Sequence, residues 1–372
     1  MLKIALVGCG KIADSHAQQI QRIPTCRIVA ACDREPMMAS QFCERFDVPA
    51  QYSDFQMMMR ESTPDVVHIT TPPESHYSLA IQCLETGSHV YVEKPFTLHF
   101  NEAQRLIALA EERGLKITAG HDDQFSHVSR RMRKAIAGGY LGGRPVHMES
   151  YYCYELSNTG YSGAMLGDKK HWVRRLPGKL LHNIISHGIA RIAEHFTSDT
   201  PHVVAYGFIS PFLKRLGEDE IIDELRVIVS EESGTTAYFT FSSQMRPGLH
   251  SFSIYGHKNG LMLDQDQEML IKLRGKRRKS YAEKFLPPLN LARQGLLNLR
   301  TNLGLFLEND FQMKSGMHCL ISSFYKSIEG SAPVPIPYGE ILRTAKIMES
   351  IFDQLKVQDT AKVEQIQEPA HA

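Results

Sequence analysis

The triplet Glu93-Lys94-Pro95 is the segment of this sequence whose residue types most clearly suggest chemistry. It follows an apolar run, residues 88–92, that is typical of a buried strand. In an open α/β sheet, ligands bind at the carboxyl ends of the strands. A lysine that is partly shielded from water there has a lowered pKa, so it can exchange protons near neutral pH. Without its context, the triplet would fit a surface ion pair before a turn proline better than a ligand site.

A glycine-rich turn lies between the first predicted strand, residues 2–7, and the first predicted helix. It has the G-x-G-x-x-A spacing of dinucleotide-binding turns: Gly8-Cys9-Gly10-Lys11-Ile12-Ala13. In such a turn Gly8 permits the tight bend, Gly10 lets the backbone approach a pyrophosphate, and Ala13 keeps the helix close to the strand. We therefore expect residues 8–13 to bind a dinucleotide cofactor.

The acidic residue Asp33 follows the second predicted strand, residues 26–32. A carboxylate at this distance from the glycine turn accepts a hydrogen bond from the ribose 2′-OH and repels a 2′-phosphate, which favours NAD. The neighbouring Arg34 could instead hold the phosphate of NADP or stack on adenine. The sequence therefore favours NAD and keeps NADP as the alternative.

The composition excludes several classes of protein. The chain has 372 residues and a net charge of +1, so it can form two cores and shows no general affinity for nucleic acid. No apolar stretch approaches the roughly 18 residues that span a bilayer, and the N-terminus has no signal-peptide pattern. The seven cysteines show no metal-type spacing. We expect a cytoplasmic protein without a membrane span or a metal site.

Strands and helices alternate along the first third of the chain, which predicts a doubly wound parallel sheet of the Rossmann type. The predicted strands are 2–7, 26–32, 65–70, 88–92 and 116–119, and the predicted helices are 11–22, 37–46, 54–61, 75–86 and 101–113.

After Gly120 the pattern changes to strands with period-2 alternation, interrupted by a helix near 182–196. This predicts an α+β domain with an open, mostly antiparallel sheet. Its predicted strands are 145–153, 203–209, 224–231, 235–242 and 251–255. We place the domain boundaries at 1–123 and 124–372.

Beyond the glycine turn, four segments in the same order along the chain resemble motifs of the glucose-fructose oxidoreductase/inositol dehydrogenase/MocA (Gfo/Idh/MocA) family. The first, residues 71–76, resembles the family's T-P-x-x-x-H segment, and the second is Glu93-Lys94-Pro95. The third, residues 120–125, resembles the crossover into the second domain, and the fourth, residues 177–187, resembles a catalytic segment of the form G-G-x-x-x-D-x-x-x-H. The resemblance covers most of the chain.

The resemblance implies roles for these residues. Lys94 would hydrogen-bond the reacting substrate oxygen and the nicotinamide ribose, and His187 would accept or donate the proton at the reacting carbon. A histidine suits this task because it titrates near neutral pH. Four further residues would lie along the cofactor: Thr71, Pro72, His76 and Glu93.

The chain also departs from the family pattern. The usual aspartate one helical turn before the histidine is Asn183, which can orient a sugar hydroxyl but cannot act as a carboxylate base. Gln124 replaces the common arginine where the chain enters the second domain, and Lys179 replaces the second glycine of the catalytic segment.

Other side chains could contact a substrate. Trp172 could form an aromatic platform and Arg174 could bind a phosphate or carboxylate, with His171 beside them, although a packed loop explains all three equally well. Tyr152 could line the pocket, although core packing is the simpler interpretation. The spacing of His171, His182 and His187 matches no standard zinc motif, so we predict no metal there.

The resemblance implies an NAD(P)-dependent oxidoreductase that transfers a hydride between nicotinamide and a carbinol carbon. Its substrate would be a sugar, a sugar derivative, a nucleotide-sugar or a cyclitol, and the protein would form a homodimer or homotetramer. A non-catalytic, dinucleotide-sensing regulator on the same fold is an alternative, as is an enzyme that acts on a non-sugar compound.

A basic segment, residues 272–284, precedes a leucine-rich stretch, residues 288–308. They would form either a solvated hairpin with a helix that covers a core or subunit interface, or a basic amphipathic patch that contacts an anionic membrane or partner.

Overall fold

The computed structural model describes residues 1–156, 166–275, 281–308, 310–311 and 314–367. The chain divides into two compact units, Met1–Ser126 with Gln312–Ala345, and His127–Phe311 with Lys346–Ala372. The predicted boundary after residue 123 lies three residues before Ser126. The segment Gln312–Ala345 was expected in the second domain and belongs to the first unit.

The first unit contains a six-stranded parallel sheet in the order β3-β2-β1-β4-β5-β6. Every residue of Val66–Ile69 is buried, as is typical of a parallel strand that is covered on both faces. The strands are β1 Leu2–Val7, β2 Cys26–Cys32, β3 Gln51–Tyr52, β4 Val66–Ile69, β5 His89–Val92 and β6 Ile117–Ala119. The helices between them are α1 Lys11–Ile20, α2 Pro36–Phe46, α3 Phe55–Ser62, α4 His76–Glu85 and α5 Phe100–Glu112. This confirms the predicted Rossmann sheet and adds the short strand β3.

The second unit contains a seven-stranded sheet in the order β13-β12-β11-β7-β10-β9-β8. Strands β7 and β10 pair in parallel and the other pairs are antiparallel, which confirms the predicted sheet. The strands are β7 Pro145–Cys153, β8 His202–Phe208, β9 Glu224–Ser230, β10 Thr236–Ser242, β11 Leu249–Gly256, β12 Asn259–Asp264 and β13 Met269–Arg274. Its helices are α6 His127–Ala137, α7 Lys179–Ile184, α8 Ser186–Ala193, α9 Pro211–Arg215 and α10 Ala282–Leu307.

Several elements differ from the sequence-based expectation, and strands β12 and β13 were not predicted. The helix predicted near 182–196 is divided at Ile185 into α7 and α8. The helix α11, Ser315–Ile328, was not predicted and contributes Leu320, Ile321 and Phe324 to the core of the first unit.

The last helix, α12, runs from Tyr338 to Gln367. Within the described residues, none of the helices has the length and apolar character needed to span a membrane.

Candidate functional site

The carboxyl ends of the parallel strands β1, β2, β4, β5 and β6 bring the predicted site residues of the first unit to one edge of the sheet. Strand β1 ends at Val7, and Gly8 follows with a φ of +91°. A Cβ atom at Gly8 would lie 2.8 Å from the Thr71 backbone nitrogen, so this position requires glycine for both conformation and space.

The requirement for glycine at Gly10 differs from the requirement at Gly8. It precedes α1 with a φ of −77°, which any residue can adopt, and a Cβ atom there would meet no protein atom within 4 Å. Neither backbone strain nor protein packing therefore excludes a side chain at Gly10. The remaining requirement is close approach of a ligand to the backbone, as in a pyrophosphate site at a helix N-terminus.

Asp33 connects the end of β2 to the glycine turn. Its carboxylate accepts hydrogen bonds from the Cys9 backbone N–H at 2.7 Å and from the Glu35 backbone N–H at 2.9 Å. A carboxylate has about four lone-pair sites, so two remain for ribose hydroxyls. Arg34 beside it is exposed.

These residues fit the dinucleotide that the sequence implies. Ala13 is fully buried, which lets α1 pack closely on the sheet, while Lys11 in the first turn of α1 is exposed and Ile12 is half-buried. The first turn of α1 thus presents backbone N–H groups to an anion beside an exposed ammonium group.

His76 connects the loop after β4 to the turn after β5. Its ring nitrogens lie 2.9 Å from the Thr71 and Pro95 carbonyl oxygens, and the residue is completely buried. Burial lowers the pKa of His76, although both carbonyls oppose this. His76 therefore fixes the position of Thr71 and of the Lys94–Pro95 peptide bond, which is cis. Pro72, beside Thr71, is exposed.

Glu93 is a buried carboxylate held by a chain of hydrogen bonds. Its Oε1 atom lies 2.8 Å from His16 Nε2, and His16 Nδ1 lies 2.8 Å from His68 Nδ1. His68 Nε2 in turn lies 2.9 Å from the Tyr325 hydroxyl. His68 is thus a hydrogen-bonded core histidine, and the chain of hydrogen bonds links α1, β4, β5 and α11.

The network keeps Glu93 ionised. Burial alone would raise the pKa of Glu93, but the hydrogen bond and charge of His16, with a smaller contribution from Lys94, lower that pKa to about 2. Burial also lowers the pKa of His68 well below its ordinary value. A neutral His68 has one donor and one acceptor nitrogen, which suits its two partners, His16 and Tyr325.

Lys94 is partly buried beside this carboxylate, and its backbone N–H donates to Glu93 Oε2 at 3.1 Å. Burial lowers the pKa of Lys94, while the negative charges of Glu93 and Asp122 raise it. The net direction is downward, so the ammonium group releases its proton more readily than an exposed lysine.

The sequence-based prediction missed Asp122 at the same edge of the sheet. Asp122 follows β6, is 8 % exposed, and lies beside Asp123 with Lys314 Nζ 4.0 Å from its Oδ2 atom. Burial and repulsion from Asp123 raise the pKa of Asp122 to about 7, although Lys314 opposes this. The detectable signal was a pair of acidic residues just beyond a predicted strand, at the edge where ligands bind. Gln124 is buried and donates to Glu340 Oε1 at 2.6 Å.

In the second unit, α8 holds His187 against Tyr152. The two rings lie 5.8 Å apart, and both residues are less than a tenth exposed. Gly188 permits this contact, because a Cβ atom there would lie 2.4 Å from the Phe239 ring. Ser150 Oγ donates to the Gly188 carbonyl at 3.0 Å and fixes α8 on the sheet.

The preceding helix, α7, carries Asn183 in a half-buried position one turn before His187. His182 stacks on Phe352 at 4.6 Å, so its ring is part of the core. Lys179, at the family's second glycine position, has a φ of +46°, in the left-handed region that glycine adopts with less strain.

The loop before α7 holds the other candidates. Arg174 is buried and forms a two-pronged ion pair with Glu218, with Nη2 2.6 Å from Oε2 and Nη1 3.3 Å from Oε1. His171 accepts a weak hydrogen bond from the Val173 backbone N–H, and Trp172 is half-buried beside it. A structural role therefore accounts for the charge of Arg174.

Comparison with known proteins agrees with this geometry. Residues 2–121 match the model of the GFO_IDH_MocA family, described as an oxidoreductase family with an NAD-binding Rossmann fold. Over these residues the chain is similar to the Gfo/Idh/MocA family. The predicted family and its NAD-binding character are thus confirmed.

Two curated relatives show how far the similarity extends. D-glucoside 3-dehydrogenase of Escherichia coli is 28 % identical over 142 residues, which cover 38 % of this chain and 40 % of that protein. The alignment therefore spans less than half of that relative. The 4-carboxy-2-hydroxymuconate-6-semialdehyde dehydrogenase of a Sphingobium species is 21 % identical over 72 % of this chain and 81 % of its own length.

Among solved structures, the WlbA dehydrogenase of Bordetella pertussis in complex with NADH and UDP-GlcNAcA has a TM-score of 0.73 to this chain. The sequences are 15 % identical, and the match covers 96 % of each chain. At this identity the similarity establishes the fold alone.

Proposed function

We propose that this protein is an NAD-dependent dehydrogenase that oxidises a carbinol carbon of a sugar, a sugar derivative, a nucleotide-sugar or a cyclitol. The observation that carries the proposal is the ionised Glu93 beside Lys94, whose pKa is lowered by burial, at the carboxyl edge of the NAD-binding sheet. The relatives add support, since one is named for a glucoside and the WlbA structure contains a nucleotide-sugar.

The chemistry follows from these residues. A bound nicotinamide would supply the hydride acceptor. The turn at residues 8–13 would bind the pyrophosphate and Asp33 the ribose, and the negative charge of Asp33 favours NAD over NADP. Lys94 would donate a hydrogen bond to the reacting oxygen, and His187 would take the proton that an alcohol must lose. Asn183 would orient a neighbouring hydroxyl.

A non-sugar hydroxy compound is the second candidate substrate. It is favoured by the alignment with the semialdehyde dehydrogenase, which extends over 72 % of this chain. It is also favoured by Arg174, because an arginine paired with Glu218 is less suited to bind the phosphate of a nucleotide-sugar. The non-catalytic regulator remains a third outcome, and Asn183 in place of aspartate is the residue that would explain it.

The absorbance of reduced nicotinamide tests the proposal. Purified protein is mixed with NAD or NADP and a panel of sugars, uronates, inositols, nucleotide-sugars and non-sugar diols. Lys94→Ala and His187→Ala should each reduce turnover by at least about 100-fold. The exposed Lys214→Ala and His202→Ala are matched controls and should leave it unchanged. Cofactor binding without turnover on any compound would support the regulator instead.

Self-association through the second sheet is part of this proposal. Val204, Ile228 and Tyr238 are cross-strand neighbours on β8, β9 and β10, and each is about half exposed. Such an apolar row on an open sheet face favours a homodimer or homotetramer. Sedimentation should show an oligomer that Ile228→Lys dissociates, and a monomeric wild-type protein would contradict this.

A further inference from the structure

The helix α10 has its polar side toward the protein. Asn298 is the one buried residue among its described positions. The Asn298 amide accepts from the Leu270 N–H at 3.1 Å and donates to the Leu270 carbonyl at 3.0 Å. Gln294 bonds the Lys272 backbone in the same way, and Asn302 donates to the Gln267 carbonyl. These amides, four residues apart, thus bond the backbone of the edge strand β13 and of the turn before it.

The opposite side of α10 is an apolar stripe directed to solvent. We call it the outer stripe, and each of its large side chains is 53–71 % exposed: Phe285, Leu289, Leu296, Leu299, Leu303 and Phe306. Their spacings of three, four and seven residues place them on one face of the helix. At roughly 100 Å² each, they expose on the order of 600 Å² of apolar surface, which is typical of an interaction site.

The sequence around the outer stripe is rich in positive charge. Between Lys272 and Glu308 the sequence has nine basic and two acidic residues, although the net charge of the whole chain is only +1. Lys284, Arg293 and Arg300 are exposed on α10 itself. Four more belong to the predicted basic segment and lie outside the described residues: Lys276, Arg277, Arg278 and Lys279.

We propose that α10 docks on the surface of a lipid bilayer that carries anionic headgroups, with the outer stripe in the acyl boundary and the basic residues on the headgroups. A helix lying in the interface needs this combination of an apolar face and flanking lysines and arginines. Each basic residue near an anionic leaflet strengthens the attraction to it. The contact is peripheral, because the outer stripe occupies one face of the helix.

A second copy of the chain is a less suitable partner for the outer stripe. The alternating spacing of three and four residues would also fit a pair of helices. However, pairing α10 with its own copy would bring two strongly basic segments together, and charges of the same sign repel. No acidic residue lies between Lys284 and Glu308 to offset this.

A cavity beside α10 adds to the argument. It has a volume of about 840 Å³ and lies between β13 and the first half of the helix. Its lining combines basic and apolar side chains, among them Lys272, Arg274, Arg293, Leu286 and Leu291. This combination suits a phosphate-bearing headgroup with the upper part of its acyl chain.

Co-sedimentation of the full chain with vesicles tests the proposal. One set of vesicles contains phosphatidylcholine alone and the other contains added phosphatidylglycerol. The wild-type protein should bind the anionic vesicles at least about tenfold more tightly. The double substitution Leu296→Glu/Leu299→Glu should weaken that binding by at least about tenfold, because it removes two exposed leucines that binding would transfer into the bilayer. Arg293→Gln/Arg300→Gln should weaken binding and reduce its salt dependence.

Leu216→Glu is the matched control, because Leu216 is 62 % exposed and lies outside α10. It should bind vesicles like the wild-type protein. Absence of binding to anionic vesicles would overturn the proposal, as would equal binding by the Leu296→Glu/Leu299→Glu protein. Self-association that this double substitution abolishes, without vesicle binding, would show that a second copy covers the outer stripe.

Discussion

The neighbouring strands β5 and β6 are each followed by a buried carboxyl group, and the two groups differ in protonation. Burial raises the pKa of both Glu93 and Asp122. His16 reverses the effect at Glu93, where the pKa is about 2, whereas Asp123 adds to it at Asp122, where the pKa is about 7. The difference shows that hydrogen-bond partners, more than burial, decide which carboxyl is charged at one sheet edge.

The contrast bears on Lys94, which interacts with both groups. Glu93 carries a permanent negative charge, which raises the pKa of Lys94 and so favours its protonated form. Asp122 can gain or lose a proton near neutral pH, so the field at Lys94 changes with pH. Three substitutions can remove or sharpen this contrast.

His16→Ala should have the largest effect, because it leaves the buried Glu93 carboxylate without its main partner. The expected loss of unfolding free energy at pH 7 is about 3 kcal/mol. Since the pKa of Glu93 is lowered on folding, its contribution is present above the unfolded pKa and is lost as the pH falls toward 2. The loss should therefore shrink in acid.

Urea unfolding at several pH values measures this loss. The exposed Gln18→Ala on the same helix is the control and should change stability by less than about 0.5 kcal/mol. A similarly small change for His16→Ala would show that Glu93 does not depend on this partner.

Asp122→Asn should have an intermediate effect that depends on pH. A carboxyl whose pKa is raised on folding stabilises the protein below its unfolded pKa, and this stability is lost as the pH rises through about 7. Asparagine does not titrate, so the wild-type protein should lose on the order of 2 kcal/mol relative to the variant between pH 5 and pH 8. Melting curves across this range provide the test, and parallel pH profiles would contradict the raised pKa.

Lys314→Gln should have the smallest effect. The Lys314 side chain is 38 % exposed and 4.0 Å from Asp122, so its removal should cost less than about 1 kcal/mol. It should raise the pKa of Asp122 further and move the Asp122 transition to higher pH, while Glu93 is unaffected. Lys326→Gln is the control, at an exposed position of the helix α11 that follows Lys314. It should leave the Asp122 transition at its wild-type pH.

The sequence predicted much of the first unit because its signals are local. The glycine turn, Asp33 and the Glu93–Lys94 pair each lie at a strand end that periodicity locates, and the parallel sheet follows from alternation. The return segment Gln312–Ala345 was not assigned to the first unit, since an amphipathic helix does not specify which of two cores it completes.

The site was harder to predict where it depends on distant contacts. His16, His68 and Tyr325 meet across 309 residues of chain, and no local pattern joins them. The raised pKa of Asp122 could not be predicted either, because its largest cause is burial. Arg174 could be interpreted either way until Glu218 was seen to pair with it.

Infrared difference spectroscopy between pH 5 and pH 9 tests the contrast most directly, because the C=O stretch of a protonated carboxyl reports each group separately. The prediction is a buried-carboxyl signal with a midpoint near pH 7 that Asp122→Asn abolishes and Glu93→Gln retains. A signal that Glu93→Gln abolishes and Asp122→Asn retains would mean that Glu93 carries the proton. In that case Lys94 would lack its permanent counter-charge, and the dehydrogenase site proposed around it would have to be rejected.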